Sequence, residues 1–301
     1  MTNKPLVSVV IPTYKRPDKL SRAIDSVLYQ TYERVEAIIV DDNNPNSKER
    51  MRTEEIMSQY DNNPLVKYIK HEKNKNGSAA RNTGVKCSCA KYVAFLDDDD
   101  EFYPEKIEAQ VKRLEELPNE YAVCYTTVVY EKEDGSFTES TETREGDLFF
   151  DALTRELSFQ AGSNLFIRKS AFDSIGGFDE SFIRSQDKEI VTRLLQKYKI
   201  AFAPIKGVHA HIYSDHSFVN PFKTTEYYVQ KMQYLVDTLP SNLQIEYFKV
   251  INKQMFYYSL DRGKWCNAVK LIVQSKVTFR DAFLIIEQGL KNKYKNRKLT
   301  K

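Results

Sequence analysis

The chain has 301 residues, 41% of them hydrophobic, enough for one large domain, or a domain with an extension, around a sizeable core. Its net charge of +3 argues against a nucleic-acid binder. Cys87, Cys89, Cys124 and Cys266 show neither zinc-type spacing nor a disulfide framework, as expected of thiols in a reducing compartment.

The start, Met1-Thr-Asn-Lys-Pro5, enters a strand directly and lacks the marks of a secretory leader. No apolar run approaches the ~18 residues of a membrane span. The expectation is a cytoplasmic protein that is not integral to a membrane. Residues 6–12 read as a buried strand ended by proline. Pro17 opens a helix with Leu20, Ala23, Ile24, Val27 and Leu28 on one stripe. Residues 36–41 form a second strand, followed by the turn-rich Asp42-Asn-Asn-Pro-Asn-Ser47 and a polar helix to about Tyr60. Residues 66–70 are a third strand, Gly77-Ser78 starts a helix, and residues 92–96 are a fourth strand. Strands alternating with helices predict a parallel, doubly wound α/β sheet, with ligands at the carboxyl ends of the strands. Those ends carry Pro12-Thr13-Tyr14, Asp41-Asp42 and residues 97–100.

After Pro104 the pattern is mixed. A helix over 105–116 leads to a strand over 122–131, and Asp134-Gly135 marks a hairpin turn. Residues 163–168 read as a strand, 169–175 as a short helix and Gly176-Gly177 as a tight loop. An amphipathic helix over 187–197 turns Ile190, Val191, Leu194 and Leu195 inward. This half is expected to cover the crevice of the first. From Thr224 onward the sequence turns helical, over 227–236, 243–260, 268–273 and 283–290, with Tyr257, Tyr258 and Trp265 read as core of this extension. The tail 291–301 is basic and has no acidic residue. The division expected is 1–220 (halves 1–103 and 104–220) and 221–301. No internal repeat or low-complexity linker is visible.

Chemistry concentrates at Tyr92-Val-Ala-Phe-Leu-Asp-Asp-Asp-Asp-Glu101, where an apolar strand runs into five consecutive acids. β geometry would send Asp97 and Asp99 to one side and Asp98 to the other. Two such carboxylates ~5 Å apart repel by roughly 3 kcal/mol at an effective dielectric near 20. Solvation, a basic partner or a divalent cation can relieve this. Oxygen-only ligands suit magnesium or manganese, particularly beside phosphates, and a solvated acidic turn is the plainer alternative. Further on, His209 and His211 would share one strand face near Asp215 and His216. Scattered surface histidines are the preferred reading over a zinc site, with contact to a diphosphate or metal as a third.

In order along the chain stand Val7-Ser-Val-Val-Ile-Pro-Thr-Tyr14, Val40-Asp-Asp-Asn43, Asn76-Gly77 with Ala80-Arg81-Asn82, Phe95-Leu-Asp-Asp-Asp-Asp100, Gly176-Gly-Phe-Asp-Glu180, and Gln186-Asp187 ahead of Arg193-Leu194. Over roughly residues 5–218 this series resembles family 2 glycosyltransferases. The resemblance implies a GT-A fold, comprising a Rossmann-like nucleotide half and a mixed acceptor half, here with a C-terminal helical extension. It also implies a nucleotide-diphosphate sugar donor, here a UDP-sugar, a divalent metal (Mn²⁺ or Mg²⁺) and inversion at the anomeric carbon. By resemblance Asp99 holds the metal, with Asp97 near the metal or ribose and Asp98 beside them. Asp42, with Asp41, would accept from the uracil imide and ribose, and Pro12, Thr13 and Tyr14 would wall the base. Arg81, helped by Asn76, would meet the diphosphate or uracil edge, and Asn164 lies where the acceptor pocket should open.

Asp187 is the expected base, since a single displacement needs a carboxylate within reach of the acceptor hydroxyl on the face opposite the leaving group. Each assignment has a structural counterpart: an Asx-turn or cap for Asp41 and Asp42, a partner to the acidic edge for Arg81, a plain loop for Asn164, and an N-cap for Asp187. Two departures from the family pattern are Gln186, where Glu is usual, and the extra acid Asp98. The absence of Gln-x-x-Arg-Trp and of membrane spans points to transfer of one sugar at a time. The absence of Gly-x-Gly-x-x-Gly argues against a dehydrogenase. The implied acceptor is a glycan or lipid-linked glycan of a bacterial surface polysaccharide. The basic tail would touch anionic lipid at the inner face of the cell membrane, or be simply solvated. The helices could instead pair two copies. A catalytically silent sugar-nucleotide-binding subunit and a sugar nucleotidyltransferase are the competing readings.

Overall fold

The computed structural model describes residues 4–159, 161–212 and 220–261. Asp215, His216, Trp265, the basic tail and the helices expected over 268–273 and 283–290 lie outside the described residues. The chain divides into two compact units, Met1–Asp215 and His216–Lys301.

In the first unit, β1 (Val7–Thr13) lies parallel between β2 (Val35–Asp41) and β4 (Tyr92–Phe95). The register runs from Val7↔Val35 to Thr13↔Asp41, so polar residues at both strand ends come together at one edge. β3 (Val66–Lys70) adds to β2, also parallel. These central strands read as apolar runs because helices cover both of their faces. On one face α1 (Pro17–Leu28) buries Leu20, Ala23, Ile24 and Val27. On the other, α3 (Gly77–Lys86) contributes Ala80 and Val85.

The second half extends the same sheet with mixed polarity. β8 (Phe166–Arg168) runs antiparallel to β4, and β6 (Tyr121–Lys132) antiparallel to β8. β9 (Lys199–Ile212) lies parallel to β6, and β5 (Glu101–Phe102) antiparallel to β9. The strand order is β3-β2-β1-β4-β8-β6-β9-β5, with β7 (Phe137–Glu139) paired to β6 as a hairpin around Gly135. α4 (Lys106–Glu116) joins the α1 face through Ile107, Val111 and Leu114. α8 (Gln186–Leu195) joins the α3 face through Ile190, Val191, Leu194 and Leu195. The expected strand over 163–168 is shorter than its sequence suggested. A helical turn, α6 (Ala161–Asn164), comes first, because the Asn164 side chain is bonded to β6 instead of continuing a ladder.

In the second unit α9 (Pro221–Val236) and α10 (Ser241–Asp261) pack together, burying Tyr228, Met232, Leu235, Tyr247, Ile251 and Met255. Tyr257, expected in this core, is instead 39% exposed. Among the described residues no helix is long and apolar enough to cross a membrane.

Lys106 is the exception in an otherwise apolar layer. Fully buried, it donates from Nζ to Gln110 Oε1 at 2.7 Å and lies 4.1 Å from the Phe102 ring centroid. Burial pushes its pKa down from 10.5 to about 7. Between those values the unfolded chain carries a proton that the folded chain lacks, so stability from this group rises as pH rises. Lys106→Met should raise stability at pH 7 by roughly 1–3 kcal/mol and flatten the pH dependence of urea unfolding between pH 7 and 9.5. An unchanged slope would refute the buried-lysine account.

Candidate active site at the strand ends

Strand geometry stops at Phe95, and residues 97–100 form a turn closed by the Asp100 N–H donating to Asp97 O at 3.1 Å. The alternation expected for the acidic run is therefore replaced by the geometry of the turn. Asp97 accepts from Arg81 Nη2 at 2.5 Å, whereas Asp98 and Asp99 share Arg16, whose Nη2 is 2.9 Å from Asp98 Oδ1. Asp98 is 1% exposed and also accepts from the Thr13 hydroxyl at 2.8 Å. Burial pushes its pKa up to about 7, against the pull of Arg16. It is a buried strut, which corrects its expected place beside the donor. Thr13, expected to wall a base, is turned toward that strut. Asp100 accepts from Ser163 Oγ at 2.5 Å and is pushed up to about 8 by burial and by the charge of Asp97. Asp97 and Asp99 stay reachable, with side chains 33% and 15% exposed. Burial, together with the charge of Asp97, raises the Asp99 pKa despite Arg16. Two reachable hard oxygen donors, each paired with an arginine in this structure, have the chemistry that suits a divalent cation such as magnesium or manganese.

The acids after β2 are committed to the protein. Asp41, fully buried, pairs with Arg50 Nε at 2.9 Å and accepts from the Tyr68 hydroxyl at 2.6 Å. Its Oδ1 accepts from the Asn43 N–H at 2.9 Å, the Asx-turn foreseen as its alternative. Asp42 accepts from His71 Nδ1 at 2.7 Å, Asn74 Nδ2 at 2.8 Å, the Lys75 N–H at 2.8 Å and the Asn76 N–H at 2.9 Å. It therefore shapes the loop from 71 to 76. Asn76, with φ of 90°, caps α3 by accepting from the N–H groups of Ser78 and Ala79, and it donates to Glu180 O. The side chains of these three residues, expected to touch a nucleotide, are bonded within the protein in this structure. Pro12 is half-buried and Tyr14 exposed, with Lys15 Nζ 5.0 Å from the Tyr14 ring.

Asp187 sits in the first turn of α8, whose N-cap is Ser185, in a left-handed conformation and without a side-chain cap bond. It is not the cap that its sequence position suggested. With Arg81, Asp97, Gly162, Phe178 and Gln186 it lines a cleft of about 290 Å³. Gly162 has a steric reason: a Cβ there would lie 2.9 Å from Asp97 Oδ2. Gln186, the departure from the family pattern, accepts from Arg81 Nη1 at 2.8 Å and donates to Phe182 O at 2.9 Å. An ionised carboxylate could do only the first.

His209 and His211 are gathered, not scattered. The His209 and His211 rings are 4.3 Å apart, and one nitrogen from each lies within 4.8 Å of a Glu101 oxygen, the distances of a possible metal site. Glu131 joins them, 2.9 Å from His209 Nε2 and 3.2 Å from His211 Nδ1. Asn164 is fully buried. It donates to Thr126 O at 2.7 Å and Phe159 O at 3.0 Å, and accepts from the Thr126 N–H at 3.0 Å and hydroxyl at 2.7 Å. It is a structural staple, not a pocket residue. The sequence reading missed Arg16, His71, Glu101, Glu131 and the Gln186 amide. Arg16, a cation just past the first strand, and Glu101, the last acid of the run, had local signals. The others emerge only from pairings such as Glu131↔His211.

A family model described as "Glycosyl transferase family 2" matches residues 8–176. An uncharacterized glycosyltransferase of Rickettsia felis is 39% identical over 137 residues, which cover 46% of this chain and 21% of that protein. The amylovoran biosynthesis glycosyltransferase AmsB of Erwinia amylovora is 28% identical over 211 residues, 67% of this chain and 69% of AmsB. The chain thus spans only a fifth to a third of the length of the first Rickettsia relatives. Among solved structures, S. aureus TarS 1-349 in complex with UDP-GlcNAc superimposes with a TM-score of 0.61 at 16% identity, over 85% of this chain and 73% of that one. At that identity the likeness establishes the GT-A fold alone.

Asn164→Ala would strand the Thr126 amide and carbonyl in the interior. The expected loss is about 2–4 kcal/mol in urea unfolding. A variant of wild-type stability would overturn the staple role.

Proposed function

The chain belongs to glycosyl transferase family 2, and we propose from this that it moves a single sugar from a UDP-sugar to a hydroxyl of a glycan or lipid-linked glycan, with inversion at the anomeric carbon. The observation that carries the reading is that Asp187 and Asp97, ninety residues apart, line one cleft. A UDP donor is supported by the fold shared with a protein whose structure holds UDP-GlcNAc. The name of AmsB supports a polysaccharide as the product's destination.

Asp187 takes the proton from the acceptor hydroxyl as that oxygen attacks the anomeric carbon, on the face away from the departing diphosphate. Arg81, held by Gln186 and Asp97, places a guanidinium where the diphosphate gathers charge. Asp97 and Asp99 would hold manganese or magnesium, which when bound supplies a Lewis acid to neutralise the leaving group. Residues 1–220 form the transferase in this proposal and 221–301 an extension that meets lipid or a second copy. A silent binding subunit is disfavoured, because it has no use for a carboxylate facing the donor cleft.

With manganese present, Asp187→Asn should lower turnover of the donor roughly 10²–10⁴-fold, while UDP binding measured by calorimetry stays within twofold. Equal turnover in the variant would remove Asp187 as the base. A thermal-shift screen of UDP-, GDP- and dTDP-sugars should show the largest rise with a UDP-sugar plus manganese.

A further inference from the structure

We infer that a second cavity beside Asp187 is an acceptor subsite for a sugar bearing an anionic oxygen group, a carboxylate or a phosphate, and that Arg155 and Lys188 select that charge. The inference rests on Asp187 being the base, since it gives the residue a donor side and an acceptor side. The cavity, about 170 Å³, is lined by Arg155, Leu157, Phe159, Asp187, Lys188 and Val191. It is smaller than the ~300 Å³ of the smallest drug-sized sites, which suits one sugar unit. Asp187 lines both this cavity and the cleft shared with Asp97.

Both cations stand where local structure disfavours them. α5 (Phe149–Leu153) ends in a Schellman motif, with the Glu156 N–H donating to Asp151 O at 2.8 Å and the Arg155 N–H to Ala152 O at 3.0 Å. The residue between these bonds and the exit is left-handed and usually glycine, yet here it is Arg155, with φ of 64°. A side chain there costs about 1 kcal/mol, and such strain persists mostly where the side chain is needed. Lys188 occupies the first turn of α8, where the helix dipole disfavours a cation. Burial, with repulsion from Arg155, holds its pKa below the ordinary lysine value, against the pull of Asp187. Arg155 and Lys188 share the cavity lining with a single carboxylate, Asp187, so the lining carries one more positive than negative side chain, and an anionic group on the acceptor would balance it.

Glycine at position 155 gives a discriminating variant, because it relaxes the backbone while deleting the charge. The full chain, with UDP and manganese present, is titrated by ligand-observed NMR with glucuronic acid, glucose 6-phosphate and glucose. At least one anionic sugar should bind tenfold or more tighter than glucose, and comparing the two separates carboxylate from phosphate as the recognised group. Arg155→Gly should keep or raise Tm and retain UDP affinity, yet lose at least fivefold of the anionic preference; Lys188→Gln should lose a similar share. A purely structural Arg155 predicts the Tm gain without the loss of preference. Equal binding of all three sugars, binding of none, or an undiminished preference in Arg155→Gly would each overturn the subsite. Binding is read without turnover, so the outcome is independent of the Asp187→Asn result.

Discussion

Charge compensation at the end of β4 is the constraint around which the first unit is arranged. Five acids follow a buried strand, and three arginines answer them: Arg22, which pairs with Glu101, and Arg16 and Arg81 from opposite faces of the sheet. Arg16 reaches in just before α1 and ties down Asp98 and Asp99. Arg81 reaches in from α3 and ties Asp97 to Gln186 at the head of α8. The second of these links the two halves of the fold through one side chain, which is how a helix far along the sequence comes to place Asp187 across from the acidic turn.

The acids near this edge divide into those that build and those that act. Asp41, Asp42, Asp98 and Asp100 are buried and engaged by Arg50, His71, Arg16 and Ser163. A buried carboxylate is tolerated only when its oxygens are bonded. Those bonds fix the turn that carries Asp97 and Asp99, whose side chains stay partly exposed. A position that reads as a binding residue can therefore serve binding by holding its neighbour still.

Backbone strain follows the same geography. Lys15, Asn46 and Asn76 take left-handed conformations in the loops that leave β1, β2 and β3, and Arg155 and Ser185 do so beside Asp187. Of these, Asn46 is the residue type that accepts a φ near 60° readily, whereas Asn76, with ψ of 166°, lies in a region that glycine otherwise occupies. Concentrating such residues where three strands open toward one edge fits a site held in a single preformed shape.

By itself the amino-acid order determined the parallel α/β half, since Val-Ser-Val-Val-Ile, Ala-Ile-Ile-Val and Tyr-Val-Ala-Phe are runs that only a doubly covered sheet can bury. It also drew attention to the strand ends, and three of the residues it singled out there and beyond, Arg81, Asp97 and Asp187, line one cleft in the fold. It left undecided which acids would be buried, that residues 161–164 would turn before β8, that Tyr257 would face out, and that His209 and His211 would meet Glu101 and Glu131. Those outcomes depend on cross-strand register and on side chains more than a hundred residues apart competing for the same oxygens. Local propensity carries no information about either, so only the assembled fold could decide them.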